Sequence, residues 1–325
     1  MQLLQKLLNK FNGFYYKQDY LCLTKESFQP LLFAYIVSDQ RVIKNITNDH
    51  LFTGYSPLVF SFSTRNEIDF AKAATIEIVF SQHEIQLNGL ISPRDAIAKI
   101  SFKRIHQQSP GDKRIYYYEG QKGEHNFISR FHQYVVQLQN QLYNKKPGNV
   151  YLAGNLLKQV QIAYSLPRVI SLITAGSGGL FNLFPTDLHG QVDDAHYIIS
   201  LRHGGKAAQQ VEKAKRIVIT EVDSAFYKTV YSLGKNHMQE LKAKEHVPFT
   251  NNLSEVFHLP MPQYAVCYRE LELLQYFDHG IHRLFLFNIL NKRETGSKPD
   301  TLAHIHNVYA TWRHNNGLPG NYLLR

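Results

Sequence analysis

Pro167-Arg-Val-Ile-Ser-Leu-Ile-Thr174, the turn Ala175-Gly-Ser-Gly-Gly179 and the return run Leu180-Phe-Asn-Leu-Phe184 decide how the second half of the chain is read. Arg168–Thr174 is rich in β-branched residues and Leu180–Phe184 resumes the apolar run beyond the glycines, so the stretch reads as a β-hairpin. Two enzymatic readings of the glycines fail on context. A P-loop needs Gly-Lys-Ser/Thr opening a helix, and a nucleophile elbow needs glycine at 175 and a helix after Ser177. Here Ala175 stands at the first position and the run closes on Pro185.

Working outward, Gly154–Tyr164 reads as a short helix, His196–Arg202 as a strand and Ile217–Val222 as another. Between those two strands lies a helix from about Lys206 to Lys215, with Ala207, Ala208, Val211 and Ala214 on its buried face. The connection Ser200-Leu-Arg-His-Gly-Gly-Lys206 sets Arg202, Lys206, Gly204 and Gly205 between a strand end and the first helical turn. Free backbone N–H groups and the positive end of the helix dipole would face an anion there, and the two cations would add charge-assisted hydrogen bonds. Ser200, Leu201 and His203 complete this candidate phosphate loop.

The first half has a different texture. Leu31–Val37, Arg41–Ile46, Pro57–Ser63, Thr75–Phe80, Glu84–Leu87, Ala96–Ile105 and Arg114–Tyr118 read as about seven strands, rich in β-branched and aromatic residues between polar turns. After Gly123, Phe127, Phe131, Tyr134, Val135, Leu138 and Leu142 recur at helical spacing. Lys145-Lys-Pro-Gly148 then stops the helix and reads as a linker. With 325 residues the chain is long enough for two domains. They are expected at 1–147, β-rich with a C-terminal helix, and at 148–325. Seven strands and a helix match the element count of pleckstrin-homology-like barrels, which says nothing about function.

Hydrophobic residues make up 44% of the chain, ordinary for a folded protein, and no stretch approaches the apolar length of a membrane span. Residues 1–11 space Leu4, Leu7, Leu8 and Phe11 as an amphipathic helix and lack a signal-peptide core. Cys22 and Cys267 show no pairing or metal spacing, so a reducing, cytoplasmic setting is expected. A net charge of +10 points to an anionic partner. That partner could be nucleic acid, a membrane surface or a phosphorylated small molecule, and charge alone does not choose; the cations are scattered and form no nucleic-acid motif, which also suits a plain solvated basic surface.

Pro167–Thr174, then Asn182-Leu-Phe-Pro185, then Ile199-Ser-Leu-Arg202 with the following helix, and finally Gly280-Ile-His282 before Arg283–Ile289 stand in a definite order. Together they resemble the flavin reductase-like family, whose blocks read Pro-Arg-Pro-Val with a Thr-ended strand, Asn-x-x-Pro, a Thr-x-x-Asn helix start and Gly-Asp-His. Val169, Ala207, Gln210, Ile281, Phe287 and Asn288 depart from that pattern. Loss of the Thr hydroxyl at Ala207 throws phosphate binding onto Arg202 and Lys206. The resemblance covers about residues 150–325 and leaves the first half unmatched.

The resemblance implies a mainly β, α+β fold, with an FMN-binding split β-barrel behind the first domain. It implies hydride transfer between reduced nicotinamide, NAD(P)H, and the flavin, in a homodimer whose subunits share the site. Thr174, Asn182, Pro185, Thr186 and Asp187 would line the flavin, backbone N–H groups of 182–188 would face the reduced ring, and Phe184 and Leu188 would pack against its apolar body. His282 would lie near the ring with an imidazole pKa near neutrality and a pH-dependent effect on turnover. Phe249, Phe257 and Tyr264 would line the subunit interface. His279 with His282, and His304 with His306, have no ligand set behind them for a metal. The alternatives are a non-catalytic flavin-binding or adaptor protein and a basic nucleic-acid-binding protein.

Overall fold

The computed structural model describes residues 11, 13–16, 18–24, 32–47, 51–64, 73–92, 94–111, 113–143, 150–263, 265–294, 300–318, 320 and 322–323. The expected helix at 1–11 (save Phe11), the Lys145–Gly148 linker and Tyr264 therefore lie outside the described residues. The chain forms two compact units. The first comprises Met1–Leu21, Phe28–Leu166 and Ile305–Gly320, and the second Cys22–Ser27, Pro167–His304 and Asn321–Arg325. The change of unit thus falls at 166/167, the short helix expected to open the second half counts with the first unit, and 305–320 returns to it. Helices α1 (Arg130–Tyr143), α2 (Leu156–Ala163) and α5 (Asn307–Asn315) belong to the first unit, and α3 (Lys206–Ala214) and α4 (Tyr227–Ser232) to the second.

After β1 (Tyr20–Thr24), the first unit builds one antiparallel sheet from β2 (Phe33–Ser38), β3 (Arg41–Asn45), β4 (Leu51–Tyr55), β5 (Leu58–Thr64), β6 (Thr75–Ser81), β7 (Ala96–Gln108) and β8 (Arg114–His125). Its order is β3-β2-β6-β7-β8-β5-β4. Glu84–Leu87, expected as a strand, is a connection instead. Asn88, at φ +62°, donates its N–H to Val42 O and turns the chain there. In its place β4 pairs with β5, with a register shift between Phe52 and Gly54, and Thr53 and Ser61 share a buried hydroxyl contact of 2.8 Å. β8 runs on past Gly123 because α2 presses against it. Asn155 accepts the Gly123 N–H at 2.6 Å and returns a bond to its carbonyl at 2.9 Å.

The second unit is organised by a sheet of β10 (Ser171–Ser177), β11 (Leu180–Thr186), β12 (His189–Gln191), β13 (His196–Arg202), β14 (Arg216–Val222), β15 (Lys242–Ala243), β18 (Ala265–His279) and β19 (His282–Glu294), in the order β12-β13-β19-β18-β14-β10-β11-β15. A short pair, β16 (Phe249–Leu253) with β17 (Pro260–Pro262), accompanies it, and β9 (Arg168–Val169) pairs with β20 (Leu302–His306) at one edge of a four-stranded sheet that also holds β1. β1 also pairs with β21 (Tyr322–Leu323). The opening hairpin is as read: Ile173 faces Phe184, and Gly178 and Gly179 turn the chain at φ +61° and +80°.

Because strand side chains alternate, Ile173 and Ala175 of β10, Ile199 and Leu201 of β13, and Phe285 and Phe287 of β19 share one side with Ala207, Ala208 and Val211 of α3. Strands from both halves of the linear order meet in this core, so the sheet curls around α3. Leu172, Leu183, Val222 and Leu302 form a second core with Val230 and Leu233. Each such side chain, fully buried, contributes roughly 1.5–3 kcal/mol. The architecture is mainly β with helices. No helix among the described residues is long and apolar enough to cross a membrane.

Candidate functional site

The β13–α3 connection ends in a helix N-terminus that no side chain caps: Gly205 is the N-cap, extended at φ −92° and ψ 153°. Its N–H closes the turn on Arg202 O at 3.0 Å. A Cβ there would lie 3.3 Å from both Arg202 O and His237 O, whereas nothing lies within 4 Å of a Cβ built on Gly204. Arg202, His203 and Gly204 are exposed, and His203 is braced against Gly280 and Ile281 through its ring and its N–H. Lys206 pairs with Glu240, itself well exposed. Ser200 and Leu201 are buried: Leu201 packs in the core, and Ser200 Oγ lies 3.1 Å from His282 Nδ1. The loop can therefore meet an anion through Arg202, Lys206 and free N–H groups, with room at Gly204.

The β11 segment is held differently. Asn182 donates to Gln210 Oε1 at 2.8 Å and to Asn236 O at 2.9 Å, tying the strand to α3 and to the 3₁₀ helix Leu233–Met238. Asn236 in turn donates to Leu183 O, and His237 Nε2 lies 2.7 Å from Pro185 O. Phe184 is 0% exposed within the α3 core and Leu188 is also buried. The Phe184 ring is packed against protein in that core, and Leu188 lies just past the end of β11. Thr186 is buried and bonds Leu188 N, and Thr174 is buried with no partner for its hydroxyl. What 182–188 can offer is its edge at Pro185 and Asp187, both half-buried.

His282 is 1% exposed and bonded to Ser200. Burial, with Arg202 and His203 close by, drives its imidazole down to about 3, which corrects the expectation of titration near neutrality. It is held neutral and bonded to Ser200, the first residue of the loop. His237 is lowered in the same direction, chiefly by burial. Asp187 accepts from His304 Nδ1 at 2.9 Å, and His304 Nε2 meets the Tyr231 hydroxyl. Phe249 and Phe257, expected at an interface, are half-buried: one ring meets Phe181, and Arg216 lies over the other. Among the described residues no three His, Cys, Asp or Glu side chains gather to hold a metal.

Asn182 is tied to α3 through Gln210, His282 is bonded to Ser200, and Arg202 and Lys206 flank the β13–α3 turn; sequence reasoning did not single out Tyr231, Asn236, His237 or Glu240, and weighed His304 only beside His306. Those residues carry no local motif. Only their partners, 34 to 117 positions away in sequence, distinguish them.

No protein-family model matches the chain, and no curated protein matches it. Among solved structures it is similar to an FMN-binding protein from Thermus thermophilus with bound p-hydroxybenzaldehyde, at 22% identity and a TM-score of 0.36, over 39% of this chain and 72% of that one. It is similar to an NADH:FAD oxidoreductase of Streptomyces globisporus at 13% identity and a TM-score of 0.41, over 49% and 94%. The 2-nitrobenzoate 2-nitroreductase of Pseudomonas fluorescens matches at 21% identity and a TM-score of 0.37, over 44% and 73%.

Proposed function

We propose that the second unit binds FMN with its phosphate at Arg202–Lys206, and that the loaded protein is a split-barrel, NAD(P)H-dependent flavin oxidoreductase acting as a homodimer. The observation that carries this reading is the uncapped N-terminus of α3, beside exposed Arg202 and half-buried Lys206, with open space at Gly204. These residues fit a phosphate, and Phe184 and Leu188 are buried in the fold beside the site. The four sequence blocks behind the family resemblance lie on β9–β10, β11, β13–α3 and β19, and all but the two-residue β9 share one sheet.

Flavin, when bound, supplies the electron and hydride transfer. The chain's part is to bind and orient it. Arg202 and Lys206 hold the phosphate, the Pro185–Asp187 edge borders the ring, and His282 fixes Ser200 beneath the loop.

Arg202→Ala and Lys206→Ala should each weaken FMN binding by about 1.5–3 kcal/mol, the range for a hydrogen bond to a charged group, and leave riboflavin binding unchanged. Equal losses for the two flavins would remove the phosphate assignment. Oxidation of reduced nicotinamide by the flavin-loaded protein separates the enzyme from the non-catalytic alternative.

A further inference from the structure

Asp187 at the end of β11, Tyr231 on α4 and His304 on β20 come together in the second unit although they are widely separated in sequence. A carboxylate only accepts hydrogen bonds, so the 2.9 Å contact with Asp187 Oδ2 puts the proton of a neutral His304 on Nδ1. Nε2 is then an acceptor, and the Tyr231 hydroxyl donates to it. The order is hydroxyl, imidazole, carboxylate: a hydroxyl within reach of a base that a third group orients. The imidazole is 13% exposed and the carboxylate 19%, enough shelter to limit solvent screening.

We propose that Tyr231, His304 and Asp187 form a second reactive centre, in which the Tyr231 oxygen attacks an electrophilic acyl-type group while His304 takes its proton. In that step a bond forms from Tyr231 Oη to the electrophilic atom and the bond to the leaving group breaks with its electron pair. The hydroxyl proton passes to His304 Nε2, and Asp187 stabilises the resulting imidazolium. The centre shares Asp187 with the proposed ring edge, but none of its three side chains belongs to the phosphate loop, so labelling of the flavin-free protein tests it apart from flavin binding. Tyr227 supplies an internal comparison. It lies on the same helix, is also half-buried, and is bonded to no imidazole among the described residues.

The test is labelling of the full-length protein with phenylmethanesulfonyl fluoride, read by peptide mass spectrometry. There the sulfur–oxygen bond forms and fluoride leaves. Tyr231 should be labelled about 10²-fold faster than Tyr227, a gain typical of a positioned general base. His304→Gln should remove the difference, and Asp187→Asn should reduce it. Comparable labelling of Tyr231 and Tyr227 in the wild type overturns the proposal without any variant. Undiminished labelling of Tyr231 in folded His304→Gln overturns it equally.

Discussion

Asn182 shows how a residue expected at a ligand can serve the fold that carries the ligand. Its amide donates to a side chain of α3 and to a carbonyl of the Leu233–Met238 helix, so it fixes the edge of β11 against both. Asn182→Ala would leave Gln210 Oε1 and the Asn236 carbonyl without that donor in a buried place, a loss of about 1–3 kcal/mol. Urea unfolding of the variant should show it as a lower midpoint at unchanged slope, and an unchanged midpoint would mean the two ties are redundant. His282 follows the same logic. The family block located it, and its burial and its bond to Ser200 hold it neutral inside the fold. Sequence supplies the residue and its neighbours in the chain, and burial decides its protonation.

At the scale of elements, the packing of α2 on β8 depends on the missing side chain at Gly123. A Cβ there would stand 3.1 Å from the Gln159 N and Cα atoms, backbone that cannot swing aside as a side chain would. Gly123→Ala should therefore push α2 off the strand and destabilise the protein by about 1–3 kcal/mol, as overpacking does. A thermal melt equal to wild type would contradict this close approach. The hairpin β10–β11, strand β13 and helix α3 were legible because glycine turns and clean periodicities mark them. The long pair β18–β19 was only half legible. Leu284–Ile289 is an apolar run, whereas Ala265–His279 carries Arg269, Glu270, Glu272 and Asp278, and its alternation is broken by register shifts at Glu270/Leu271 and Leu273/Gln275. The division at 166/167 was hidden because 305–320, whose partners lie far back in the chain, returns to the first unit. A linker signal is local and cannot report such a return.

For the whole molecule, four histidines whose imidazoles burial holds neutral set the response to acid. Burial lowers His282 and His306 to about 3 and His125 and His189 to about 4, while in the unfolded chain each would titrate near 6.5. As pH falls below that value, the unfolded chain binds protons that the folded one refuses. Stability present above pH 6.5 should be lost progressively toward pH 4, with each group contributing about 1.4 kcal/mol per pH unit over that span. The melting temperature should fall between pH 7 and pH 5, before ordinary carboxylates protonate. A flat melting temperature over that interval would show that these imidazoles are not held neutral.

The central claim is that the second unit holds FMN by its phosphate, and a titration of the purified protein with FMN, followed by flavin fluorescence and visible absorbance, tests it most directly. FMN should bind saturably and more tightly than riboflavin, and Arg202→Ala with Lys206→Ala should bring the two affinities together. No change in the flavin spectrum at saturating protein, or riboflavin bound as tightly as FMN by the wild type, would contradict it.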